Sequence, residues 1–93
     1  MIRVKRTSDG DPLEFEVIVL EGTDESRHVV TMAQKTCERL APGNAAERCV
    51  EAAFIFLLDR ESKELILQRF DVSVISRYFP EFEQELPWYL SRL

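Results

Sequence analysis

Residues 44–60 read NAAERCVEAAFIFLLDR, and no side chain from Ala52 to Leu58 is polar. At helical spacing Ala46, Cys49, Val50, Ala53, Leu57 and Leu58 form one apolar stripe, Ala52, Ile55 and Phe56 form another, and Phe54 falls between them. Asn44 followed by Glu47 has the form of a helix start, so a helix is expected from about residue 45 to Arg60. A helix that is apolar nearly all round has to be covered on several sides, by its own sheet and later segments or by another subunit. This helix is therefore the expected centre of the fold, and its two-sided apolarity also motivates an expectation of homodimerisation.

Toward the N-terminus, Ala41-Pro42-Gly43 ends a preceding helix, because Pro lacks a donor and Gly accepts the left-handed conformation. That helix is expected to open at Thr31-Met32-Ala33-Gln34, which has the form of a capping box. Before it, Arg27–Thr31 is a β-branched run and reads as a strand. Residues 21–26 form a polar, Gly-containing connection. Leu13–Leu20 begins with strict alternation: Leu13, Phe15, Val17 and Val19 share one face, and Glu14 and Glu16 the other. Ile18 and Leu20 break the polarity, which predicts that the far half of this strand is covered on both faces. Ile2–Arg6 alternates apolar and basic residues, and Ser8-Asp9-Gly10-Asp11-Pro12 follows as a turn in which Asp-Gly would supply a positive φ. An antiparallel hairpin of two to three strands results.

Toward the C-terminus, residues 61–69 fit either a helical turn or a strand. Asp71 is placed to cap Val72–Phe79, Pro80 opens a further helix over Glu81–Leu86, and Pro87 is expected to interrupt it. The predicted architecture is a single α+β domain over residues 1–93, an N-terminal antiparallel hairpin packed on three to four helices, with flexibility confined to the ends, 1–7 and 87–93.

Twelve basic against seventeen acidic residues give a formal charge of −5, with 45% apolar and 31% charged residues. That balance suits a globular chain and works against general attraction to phosphate backbones or anionic lipid. A chain this short buries roughly 60–65% of its unfolded surface, enough for one core. No apolar run approaches the roughly 20 residues of a membrane span, and no secretory signal opens the chain, so a cytoplasmic location is expected. Cys37 and Cys49 lie in predicted helices and read as small buried hydrophobes. Two sulfurs without His companions do not suggest a metal. His28 is the sole histidine and reads as a packing residue on a strand. Glu14/Glu16 and Glu81/Glu85 read as solvated acidic faces. With no phosphate loop, metal spacing or nucleophile motif, no catalytic residue, cofactor or small-molecule substrate is implied, and the chain is expected not to be an enzyme.

Arg27–Glu61, a strand, a capped helix, a Pro-Gly turn and a second capped helix, resembles the ribbon-helix-helix repressors. That resemblance implies a strand paired between two subunits, with Arg27, Val29 and Thr31 entering the DNA major groove and Asn44 and Ala45 at a phosphate-contacting helix start. The chain departs from the family in carrying the strand Leu13–Leu20, which is placed to pair with 27–31 inside one subunit. A DNA-binding regulator is thus one functional expectation. The other, preferred here, is a non-catalytic interaction or accessory protein. Six of the aromatic residues crowd between Phe70 and Tyr89, and Trp88, Tyr89 and Phe82 are its candidate partner anchors, since aromatic side chains dominate buried interface anchors.

Overall fold

In the computed structural model, which describes residues Met1–Leu93, three antiparallel strands open the chain: β1 (Ile2–Ser8), β2 (Leu13–Glu21) and β3 (Asp24–Met32). Two helices follow, α1 (Gln34–Leu40) and α2 (Ala46–Leu58), and a 3-10 turn at Lys63–Leu65 leads into β4 (Arg69–Asp71). A second 3-10 turn at Val72–Val74, α3 (Ile75–Tyr78) and α4 (Phe82–Leu90) complete the chain. The sheet order is β1-β2-β3-β4, with β4 parallel to β3. The expected α+β architecture is what the chain adopts.

The β2 alternation sets the inner face. Leu13, Phe15, Val17 and Val19 are all buried and pair in register with Met32, Val30, His28 and Ser26 of β3. The β2–β3 turn is only Gly22-Thr23, with Gly22 at φ 63°, the pattern of a type II′ hairpin for which glycine is the fitting residue. The expected six-residue connection is thereby corrected: Asp24–Ser26 are polar because they are mostly exposed, yet their backbones continue the ladder. Gly10 does not adopt a positive φ, whereas Gly43 does, at 77°.

Against this inner face lies α2, and beyond α2 lies α4. The apolar periphery of α2 divides between the two. Phe54 faces the sheet, 5.3 Å from the His28 ring and 5.9 Å from Phe70, while Phe56 meets Phe79, Phe82 and Tyr89 edge-on at 5.0–5.9 Å. One subunit therefore closes around this helix by itself, and the need for a second copy to cover it disappears. The outer sheet face carries no layer. Ile18 and Leu20 are half-buried rather than covered by an element, and Ile18 sits in register between Arg3 and Arg27, long side chains whose stems shield apolar surface.

Several helix boundaries differ from expectation, each because a tertiary partner replaces a local one. Thr31 does not cap α1. It belongs to β3, where its hydroxyl donates to Asp71, and the start of α1 is capped from the β1–β2 loop by Asp11, which accepts from Gln34 N at 3.1 Å. Asn44 does not cap α2 either. Its side chain accepts from Arg48, and Glu47 is held by two bonds from Arg6 of β1, at 2.7 and 3.1 Å. Asp71 does cap the turn after it, accepting from Ser73 N. Pro87 does not interrupt α4: Phe82, Leu86, Tyr89 and Leu90 lie at i, i+4, i+7 and i+8 and are all buried, so burial carries the helix through the missing donor.

Five carboxyls lie below their ordinary range, and this sets a pH response. The Arg6 hydrogen bond lowers Glu47, Lys63 lowers Glu64, its own backbone amide and then Arg60 lower Glu81, and Arg39 lowers Glu83. For Asp71 burial works upward, but the bonds from Thr31 and Ser73 outweigh it. An acid depressed in the folded state stabilises that state fully above its unfolded value, about 4.3 for Glu and about 3.9 for Asp, and the contribution is lost as pH falls through the lower folded value. Glu61, raised by burial, opposes this alone. The thermal midpoint should be nearly flat from about pH 7 to pH 5 and fall steadily below about pH 4. A melting series in which the midpoint held or rose between about pH 4 and pH 2.5 would contradict these pairings.

Candidate functional site

Five large apolar side chains remain exposed: Met1, Leu65, Leu67, Tyr78 and Trp88. Three of them, Leu65, Leu67 and Tyr78, line one cavity of about 320 Å3. Its floor is core, with Leu57 of α2, Ile66, Phe70 of β4 and Ile75 of α3 all buried. Val74 and Phe79 also line it, and Glu61 is the one lining residue that is not hydrophobic. The volume falls at the low end of the roughly 300–1,000 Å3 usual for ligand pockets, and the exposed leucines and tyrosine extend its apolar surface outward.

The segment that forms the rim is anchored at two points. Lys63 is almost wholly buried, with its ammonium 2.8 Å from Asp24, 2.7 Å from Glu64 and 3.3 Å from Glu21, which ties the 3-10 turn to the β2–β3 hairpin. Further along, the Leu67 carbonyl accepts from His28 Nδ1 at 2.7 Å, and the Gln68 carbonyl accepts from Val29 N at 2.7 Å. A carbonyl only accepts, so His28 Nδ1 carries the hydrogen there; Nε2 lies 2.8 Å from the Ser26 hydroxyl. His28 is thus a buried clip between β3 and the groove rim. A rim fixed this way loses little conformational freedom when something docks on it.

The residues singled out from sequence are dispersed. Phe82 and Tyr89, two of the three candidate anchors, are 1% and 6% exposed and belong to the interior. Tyr89 is turned inward because its hydroxyl donates to Asp59 at 2.7 Å and accepts from Arg60 at 3.2 Å. Trp88 is 52% exposed, with the Arg92 guanidinium 3.9 Å above its ring, and lies away from the groove. Arg27, Val29 and Thr31 do share the outer sheet face, but Arg27 is engaged by Glu25 and Thr31 by Asp71. β2 pairs along the whole of one edge of β3 and β4 takes the other edge at Val29–Thr31, so the part of the strand that a ribbon shared between two subunits would use is already paired within one chain. Glu81 and Glu85 are not a free acidic face, since both bind Arg60.

No group of three His, Cys, Asp or Glu side chains is arranged to hold a metal. Burial pushes the Cys49 thiol up to about 12 and also raises Cys37, so neither is a thiolate at neutral pH. No helix is long and apolar enough to cross a membrane. Compared with protein-family models, curated proteins and solved structures, the chain matches none significantly.

The groove had a faint signal in the sequence. Leu65-Ile66-Leu67 is an apolar triplet inside an otherwise polar connection. Only Ile66 is needed by the core, and its two neighbours are left outside.

Proposed function

We propose that this chain is a non-catalytic cytoplasmic docking protein whose working surface is the groove between the end of α2, the 61–68 segment and α3, and that it holds an apolar segment of another protein. The observation that carries this reading is the convergence of Leu65, Leu67 and Tyr78, three of the five large exposed apolar side chains, on one cavity. Scattered exposed leucines are ordinary on a protein surface, whereas a contiguous apolar patch around a concavity is the usual mark of an interaction site. The anchored rim favours binding of a rigid-groove type. The acidic overall charge and the engagement of Arg27 and Thr31 within the sheet leave the nucleic-acid reading without comparable support.

Panning random peptides displayed on phage against the chain, and against a Leu65→Ser/Leu67→Ser variant, tests this. The variant should keep its thermal midpoint, because the side chains are 68% and 49% exposed and such surface changes stay within about 0.5 kcal/mol. Peptides enriched on the parent chain should bind the variant roughly tenfold or more weakly, since each leucine contributes about 1.5 kcal/mol when buried by a ligand. Enrichment of the same peptides on both proteins, or on neither, would overturn the proposal.

A further inference from the structure

We infer that the segment held in this groove carries, among its apolar side chains, one lysine or arginine that pairs with Glu61. The inference rests on the docking reading and adds the chemistry of the partner. Glu61 is the one charged residue lining the cavity, and it is half-buried at the point where α2 ends.

Its own chain provides no cation for it. Arg60, next to it, directs its guanidinium to Glu81 at 3.0 Å and Glu85 at 2.8 Å on α4. Lys63, two residues on, is enclosed by Glu21, Asp24 and Glu64. The two bases nearest to it in sequence are thus committed, and although Arg77 on α3 is free of ion pairs it does not reach Glu61, so this one acid lines an apolar space without an ion pair. Burial raises its carboxyl, with no partner acting to lower it. A carboxylate partly withdrawn from water is costly until a cation or donor meets it, and a partner that brings the cation into the groove relieves that cost. A chain of net charge −5 also draws basic partners during diffusional encounter. A second copy of the chain fits poorly, because two-fold docking on the groove would bring two such carboxylates toward one another.

The test uses the full chain and the phage peptides selected on it. Peptides that require Leu65 and Leu67 should share one Lys or Arg set among apolar residues. Replacing that base by Gln, or Glu61→Gln in the protein, should each weaken binding about three- to tenfold, the range of a partly solvated charge pair, and the two changes together should cost no more than either alone. Panning on Glu61→Lys should instead enrich peptides with Asp or Glu at that place. If peptides depend on Leu65 and Leu67 but show no basic residue and bind Glu61→Gln equally well, the docking reading stands and the cationic partner is wrong. Loss of all dependence on the two leucines removes both. Light scattering that finds a dimer abolished by Leu67→Ser would make a second copy the occupant and overturn the inference as well.

Discussion

Phe56→Ala should lower stability by about 3–5 kcal/mol, the loss typical of a buried phenylalanine, and so reduce the thermal midpoint by at least about 12 °C. The side chain is wholly buried, and three aromatic rings meet it edge-on: Phe82 at 5.0 Å, Tyr89 at 5.6 Å and Phe79 at 5.9 Å. The Arg60 guanidinium lies 3.6 Å from the ring centroid on the remaining side. Truncation would remove dispersion contacts with the end of α3 and with α4 at once and leave a void that neither can fill without giving up its own packing. A domain of this size holds about 5–15 kcal/mol in total, so a loss at the upper end would leave much of the chain unfolded at 37 °C. Phe56→Leu, which keeps most of the volume, should cost far less, about 1 kcal/mol. Circular dichroism melts of the two variants check the ordering, and an Ala variant within about 1 kcal/mol of the parent would mean that α4 is not seated on α2 as described.

The role of Phe56 also marks where sequence reasoning succeeded. Seven consecutive apolar residues, Ala52–Leu58, required cover on more than one side, and Phe54 and Phe56 are two residues, about 200° of helical turn, apart. One therefore meets the sheet and the other meets α4. What the pattern could not reveal was whose atoms provide the second cover. A second subunit and a C-terminal helix leave the same imprint on an apolar stripe, and here α4 supplies it, made legible only by reading Phe82, Leu86, Tyr89 and Leu90 straight through Pro87. β2 was legible because nine residues suffice to display a period of two. β4 was not, since three residues display no period and its place beside β3 is decided by the α1–α2 crossover.

Caps and site failed for a related reason. Thr31 and Asn44 had the right local chemistry, but hydrogen-bonding groups elsewhere in the chain claimed the same atoms: Asp71 for Thr31, Arg48 for Asn44, and Asp11 in place of Thr31 at the head of α1. Of the three candidate anchors near the C-terminus, Phe82, Trp88 and Tyr89, only Trp88 stays outside, because Phe82 and Tyr89 belong with Glu81 and Glu85, the partners of Arg60, to the seam between α2 and α4. The groove gathers residues from Leu57 to Phe79 that share no motif, and it is defined by what the core left uncovered.

Arg60→Ala should be the most damaging substitution of a charged residue in the chain, lowering stability by about 2–3 kcal/mol, or roughly 8–20 °C in midpoint. Its effect does not come from one ion pair. The Arg60 amide turns to Leu57 O, which leaves the Phe56 carbonyl without the donor that a continuing helix would bring, and Arg60 Nη1 closes that carbonyl at 3.2 Å. The same nitrogen donates to the Tyr89 hydroxyl at 3.2 Å, while Nε and Nη2 reach Glu81 and Glu85. Burial alone would lower the guanidinium's affinity for its proton, and the bonds from Tyr89, Glu81 and Glu85 raise it well past that loss. The glutamates are partly solvated, so each pair contributes modestly, and most of the expected loss comes from the carbonyl cap, the Tyr89 bond and the stacking on Phe56. Two controls separate these parts. Arg60→Met keeps a long stem over Phe56 and should recover about 1 kcal/mol relative to Ala. In 1 M salt the parent should lose only a few tenths of a kcal/mol, because the screened component is the smaller one. If Arg60→Ala melted like the parent, or if salt alone reproduced its full effect, the seam between α2 and α4 would be held by surface charge and not by the buried cap and ring stacking described here.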